Sequence, residues 1–288
     1  MPNRSQLGQL GRETLALLDR GGYAAPNGTT VDLAEAMRYA KDHTIHYTPE
    51  MFGEVFRRRD EILATVPRFS TTFEVVNHTT LAAARQLCDR EPRIDVLCLN
   101  FASAKHPGGG FLGGAREQEE SLARASGLYP CIARMQGMYQ ANKQWGSCLY
   151  TDHMIWSPRV PVFRDDEGNL LDQPYAVSFL TAPAVNAGAV KEHERALIEP
   201  TMVARMEKVL SVAVVQRHHT LVLGAWGCGV FKNDPTRVAQ AFHRYLIEGA
   251  TFCGAFKHVV FAVTDWSAER RFIGPFEATF ARLLASGR

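Results

Sequence analysis

The tightest constraint on this chain is a run of five glycines in seven positions: Gly108, Gly109, Gly110, Gly113 and Gly114. Each loses more backbone freedom on folding than any other residue. A chain keeps such a run where backbone must approach something closely or adopt positive φ. A short apolar segment, Ile94 to Phe101 (IDVLCLNF), precedes the run, and Gln118, Glu119 and Glu120 follow it at the head of a helix-like stretch. Strand, backbone cradle and acid-bearing helix start thus come in sequence. Amides exposed at a helix start suit a phosphate. Carboxylates beside them suit acid–base work on whatever carries that phosphate.

The rest of the chain supplies a frame for this unit. Residues 4–20 read as an amphipathic helix stopped by Gly21 and Gly22. Residues 32–41 and 50–64 read as two more helices, and Pro67 ends this N-terminal part. Residues 1–67 therefore read as a helical extension packed on the core, and 68–288 as the core of a single globular unit. Within the core, strands are expected at 71–76, 94–101, 154–163, 175–181, 220–225 and 258–263. Pro158 and Pro161 give the third of these an edge or irregular position. Helices are expected at 79–89, 118–126, 131–143, 191–216, 235–248 and 268–284, with breaks at Gly127, Pro130 and near Pro200. Asp234 is the expected N-cap of the helix that Pro235 opens. Strands alternating with helices imply an α/β fold: a mostly parallel or mixed sheet with helices on both faces. Ligands bind such sheets at the carboxyl ends of strands, here the loops after 101, 181, 224 and 263.

A second glycine loop, Gly224 to Phe231 (GAWGCGVF), follows one of those strands and leads through Asn233, Asp234 and Pro235 into a helix. It reads as a tight turn or as a pyrophosphate cradle. Glu119 and Glu120 are adjacent, so on a helix they point about 100° apart. They cannot flank one sugar as the paired carboxylates of ordinary glycosidases do. One can do acid–base work while the other orients whatever is bound. By helix pairing alone, Arg116, Glu120 and Arg124 would form a salt-bridged surface face.

The 288 residues carry a net charge of +2 and no basic tail, so a polyanion would be held locally. No direct sequence-specific nucleic-acid binding is expected. The six cysteines have neither CxxC nor zinc spacing, which favours a reducing, cytoplasmic setting. No apolar run is long enough to span a membrane and no secretory leader is evident. His43, His46 and Glu50 lack a known zinc-ligand pattern, so no metal site is expected.

GGG, seven residues, then QEE resembles the signature of the compact bacterial-type poly(ADP-ribose) glycohydrolases. NHTTL at 77–81, Asn100 to Ala102, SPRVPVFR at 157–164, TAPAVN at 181–186 and GAWGCGVFKNDP at 224–235 resemble further pieces of that family's pattern, in order. The resemblance implies a macrodomain-like three-layer α/β/α core with an N-terminal helical extension. It implies hydrolysis of the ribose–ribose bond in poly(ADP-ribose) and a role in the response to DNA damage; the two glycine loops, the lack of long insertions and the near-neutral charge point to mainly exo cleavage. Non-catalytic ADP-ribose binding and mono-ADP-ribosyl hydrolysis are the alternatives. Glu120 becomes the acid and Glu119 the holder of ribose hydroxyls. Asn100, Gly108, Gly109, Gly110, Gln118, Gly227, Cys228, Gly229, Val230, Phe231 and Thr264 become substrate contacts. Phe231 packs on the distal ribose, and Thr264 lies on the adenosine side. Cys228 is held to be structural rather than nucleophilic. Poly(ADP-ribose), ADP-ribose and ADP-ribosylated proteins are the implied partners. The implied enzyme is a monomer and needs no cofactor.

Overall fold

A computed structural model describes residues 3–91, 94–247 and 251–284. The helices are α1 (Arg4–Arg20), α2 (Ala34–Asp42), α3 (Phe52–Thr65), α4 (Thr80–Arg90), α5 (Gln118–Ala125), α6 (Leu128–Ile132), α7 (Gln136–Gln144), α8 (Ile198–Val215), α9 (Pro235–Leu246) and α10 (Ile273–Leu284). The strands are β1 (Gly22–Ala24), β2 (Thr30–Asp32), β3 (Ile45–Tyr47), β4 (Thr72–Val76), β5 (Val96–Phe101), β6 (Met154–Arg164), β7 (Leu170–Ala182), β8 (Thr220–Leu223) and β9 (His258–Ala262).

The apolar run in β5 alternates between two cores. Leu97 and Leu99 join one, and Val96 and Cys98 the other. The same split occurs in β8 and β9. A strand buried on both faces belongs in the middle of a parallel sheet. The sheet order is β3-β6-β7-β5-β8-β9-β4. The five strands from β7 to β4 are parallel, while β6 runs antiparallel to β7 and β3 to β6. Residues of α3, α8, α9 and α10 fill one core, and residues of α2, α4, α5, α6 and α7 fill the other. This is the expected three-layer arrangement with a mixed, mostly parallel sheet. The helix after β5 goes to one face and the helix after β8 to the other, so the crevice opens between the carboxyl ends of those two strands.

The structure adjusts several boundaries. The hairpin β1–β2 and the short β3 lie in a region read as helical, and β3 extends the main sheet. The expected helix 131–143 is two pieces, α6 and α7. Pro130 sits inside α6, close enough to its start that the missing N–H costs no internal bond. Pro200 falls in the first turn of α8 for the same reason, and the segment before it is a 3-10 helix, Glu192–Leu197. The closing helix begins at Ile273 rather than 268. In β6, only Met154–Trp156 are covered by β3; Pro158 lies in a register shift between Ser157 and Val160. Asp234 caps α9 through Thr236 N–H, as expected; the expected end of that helix, Glu248, lies outside the described residues.

Candidate active site

The loop after β5 and the loop after β8 enclose a cavity of about 380 Å³. Ser103, Gly109, Gly110, Glu119 and Glu120 form one side, and Trp226, Gly227, Gly229, Val230 and Phe231 the other. A second cavity of about 510 Å³ lies alongside, lined by Thr80, Asp166, Cys228, Thr264 and Phe272 among others. The two share Phe101, Glu117, Gln118, Ala225 and Gly229, so they form one cleft.

Glu119 is 2% exposed. Its Oε2 accepts from Ser103 N–H at 2.7 Å, and its Oε1 from Asn100 Nδ2 at 3.2 Å. Burial pushes its carboxyl up to about 8; the amides of Ser103 and Asn100 oppose this, and the charge of Glu120 adds to it. Glu120 is 8% exposed and accepts from Gly110 N–H at 2.9 Å. The glycine is needed one position earlier. Gly109 has φ +56, and a Cβ there would collide with the Glu120 carboxylate. Gly108, at φ +69, supplies an N–H to Glu119 and is hemmed by Tyr129 and Phe111. The run thus folds its amides onto two carboxylates, where the sequence suggested a phosphate.

Gln118 is a strut. Its Oε1 accepts from Phe101 N–H at 2.8 Å, and its Nε2 donates to Leu99 O at 2.8 Å and Thr80 Oγ1 at 3.0 Å. It ties the start of α5 to the end of β5 and to α4. Asn100 is fully buried and is not among the cavity-lining residues. Its Nδ2 holds Glu119 and Thr181 Oγ1 (3.1 Å), and its Oδ1 is buried without a partner.

The second loop needs no charge to hold its shape. Gly227 has φ +74, and its carbonyl accepts from Asn233 Nδ2 at 3.0 Å; the same amide reaches Val185 O at 2.7 Å. Trp226 is fully buried and donates from Nε1 to Ala182 O at 3.1 Å. Phe231 packs against Tyr150, ring centroids 5.9 Å apart, and Val230 projects from the rim, 64% exposed. Cys228 is buried, and burial pushes its thiol up to about 12. Such a thiol is a poor nucleophile. Thr264 lines the second cavity and donates to His78 O at 3.2 Å.

Sequence reading placed Glu119, Glu120, Gly109, Gly110, Gln118, Gly227, Gly229, Val230 and Phe231 in one cavity, and the structure brings them together. Cys228 and Thr264 meet in the neighbouring one. Ala184 was read only as part of the TAPAVN pattern, and Glu117 and Phe272 were not singled out. Ala184 lies in the TAPAVN segment, and Glu117 directly precedes QEE, so both carried a positional signal; Phe272 carried none.

The arrangement offers two carboxyl groups at a wall opposite a backbone cradle, with an apolar ring at the mouth. It suits acid–base work on a polar substrate held by amides. No curated protein matches the chain. A family model for the microbial-type PARG catalytic domain matches residues 11–165. The poly(ADP-ribose) glycohydrolase of Thermomonospora curvata is 45% identical, with 96% of this chain and 98% of that chain covered and a TM-score of 0.88. The Thermomonospora curvata enzyme bound to the inhibitor ADP-HPD is 44% identical, covering 95% and 98%, with a TM-score of 0.86. The Deinococcus radiodurans glycohydrolase in complex with ADP-ribose is 46% identical, covering 86% and 98%, with a TM-score of 0.79. With more than half its length matched by the family model and this identity sustained over nearly all of it, the chain belongs to the microbial-type poly(ADP-ribose) glycohydrolase family.

Proposed function

We propose that this chain is a glycohydrolase that cleaves the ribose–ribose O-glycosidic bond of poly(ADP-ribose). The observation that carries the reading is the pair Glu119 and Glu120 on the wall of one cavity, with Glu120 fixed by Gly110 N–H beneath a positive-φ glycine loop. Glu120 is the acid. Its proton goes to the leaving ribose oxygen as the glycosidic C–O bond breaks. An oxocarbenium-like carbon remains. The ionised Glu120 stabilises that carbon and takes a proton from the water that attacks it, which restores the acid. Glu119 orients the ribose hydroxyls, and Asn100 acts through the Glu119 oxygen that it holds. Gly227 and Gly229 present backbone to the pyrophosphate, Phe231 packs on the distal ribose, and the adenosine side lies towards Thr264 and Phe272.

Cleavage is mainly exo, because the two loops close around one ADP-ribose unit and the net charge of +2 gives little general attraction for an extended polyanion. ADP-ribosylated proteins are the partners on this reading, and the enzyme works as a monomer in the cytoplasm. The free state of all six cysteines fits that compartment. No helix among the described residues is long and apolar enough to cross a membrane.

Incubation with labelled poly(ADP-ribose) tests the reading. Release of mono-ADP-ribose as the chief early product is expected. Tight binding of ADP-ribose with no release would make the chain a binder. Early mid-length oligomers would replace exo with endo cutting, and efficient release from a mono-modified protein would move the acid's target to the protein linkage.

A further inference from the structure

Helix α1 keeps glycine at two interior positions, Gly8 and Gly11. Each costs a helix about 1 kcal/mol relative to alanine. The reason lies across the interface. A Cβ on Gly8 would stand 2.8 Å from Leu112 O, and one on Gly11 would stand 3.1 Å from the Phe111 ring and 3.2 Å from Phe111 O. Phe111 to Gly113 form the 3-10 turn that follows Gly110, whose N–H holds Glu120. The fit is reciprocal: Gly114 has φ +77, and a Cβ there would overlap the Arg4 carbonyl. Arg4 Nε donates to Gly113 O at 2.9 Å.

One helical turn further on, α1 reaches the other end of the acid-bearing unit. Thr14 Oγ1 is fully buried and donates to Arg124 O, near the C-terminus of α5, at 2.6 Å. Arg124 Nη1 turns back to Ala115 O in the loop at 2.6 Å. So α1 touches both the turn that continues the glycine loop and the helix that carries Glu120. Between those two grips lies the Gly110–Glu120 hydrogen bond.

We infer that α1 is a positioning element of the reaction, and that Gly8 and Gly11 are positioning residues that set the distance between the glycine loop and Glu120. The inference rests on the glycohydrolase reading above. A displacement of a few tenths of an ångström at Leu112 passes through Phe111 to Gly110, two residues away. Turnover is sensitive to shifts of that order, with about 10²-fold lost for a misplacement near 1 Å. On the reading above the pyrophosphate and distal ribose are gripped by Gly227 to Phe231 on the opposite loop, so ADP-ribose affinity should change less than turnover.

The test uses the full chain with Gly8→Ala, Gly8→Val and Arg4→Ala, and Gly53→Ala as control, since a Cβ at Gly53 meets nothing within 4 Å. The readouts are kcat and KM on poly(ADP-ribose), ADP-ribose affinity by calorimetry and Tm. Gly8→Val should lower kcat by about 10- to 100-fold, with ADP-ribose affinity within about threefold and an intermediate loss in Gly8→Ala. Alanine favours the helix, so lost turnover in Gly8→Ala cannot be unravelling of α1. Arg4→Ala removes an exposed side chain without a clash and decides the matter if Gly8→Val does not fold; about a threefold to tenfold fall in kcat is expected for one lost hydrogen bond. Unchanged kcat in Gly8→Ala and Arg4→Ala overturns the inference, as does a parallel fall in affinity, kcat and Tm. Failure of the wild-type chain to release ADP-ribose would instead overturn the reading on which it rests.

Discussion

The two glycine loops face each other across one cleft and are held in opposite ways. The loop after β5 wraps its amides around ionisable groups: Gly110 N–H on Glu120, Ser103 N–H on Glu119. The loop after β8 is held by neutral groups: the Asn233 amide donates to Gly227 O, and the loop's own Trp226 indole donates to Ala182 O. A loop built on carboxylates shares its geometry with their protonation. A loop built on amides keeps one shape at every pH. The difference assigns chemistry to the first loop and grip to the second, and substitutions can separate the two.

The largest effect is expected at Glu120. Glu120→Ala should reduce hydrolysis by at least about 10²–10⁴-fold, the usual worth of a general acid, while calorimetry still detects ADP-ribose. Near-normal turnover would remove Glu120 from the reaction. On the opposite loop, Phe231→Ala should lower turnover at subsaturating polymer by about 10²-fold through a loosened, misplaced ribose, with ADP-ribose affinity falling alongside and an unaltered circular dichroism spectrum. An unfolded variant would instead make Phe231 part of the core that it touches.

A smaller loss is expected for Asn233→Ala. It leaves Val185 O without the side-chain amide it accepts from, while Gly227 O keeps the Asn233 backbone N–H, a cost of about 1–3 kcal/mol. ADP-ribose affinity should fall by about tenfold or more, with kcat at saturating polymer nearly preserved. The reverse pattern, intact affinity with lost kcat, would erase the division between the loops.

The mildest effect concerns stability. The folded-state carboxyl of Glu119 is raised to about 8 from an ordinary value of 4.5. Above pH 4.5 the unfolded chain releases this proton more readily than the folded one. The group therefore erodes stability progressively as pH rises from about 4.5 to about 8. Glu119→Gln should flatten that slope and gain about 1 kcal/mol or more at pH 8, although turnover is damaged. Identical slopes of Tm against pH in both proteins would mean that Glu119 ionises in the folded chain as it does in the unfolded one.

Much of this site was legible because its signals are local. The apolar run of β5, the glycines and the acids occupy consecutive residues, and the cap of α9 is two adjacent ones. What was not legible depends on distant partners. The strand β3 has three residues, and its pairing partner is found at Met154–Trp156. Nothing within Ile45–Tyr47 announces a strand without that neighbour. Asn100 was expected to face the substrate. Its side chain is sealed by Glu119 and Thr181, which lie 19 and 81 residues away. Gln118 was expected to support the loop, and it does so by a route that needs Thr80 from another helix. Local chemistry fixed which residues gather; long-range packing decided which of them reach the cleft.

The sulfur of Cys228 gives the cleft a further property. Cys228 lines the second cavity, and burial pushes its thiol up to about 12. Thiolate, not thiol, attacks electrophiles and peroxide. A ligand armed with an electrophilic warhead and built to fill this cavity would find no anion to bond with, and would leave as it came. Peroxide would meet the exposed Cys253 well before Cys228. The cleft's own cysteine should therefore be slow to oxidise, and the cleft should keep its shape under conditions that consume more reactive thiols.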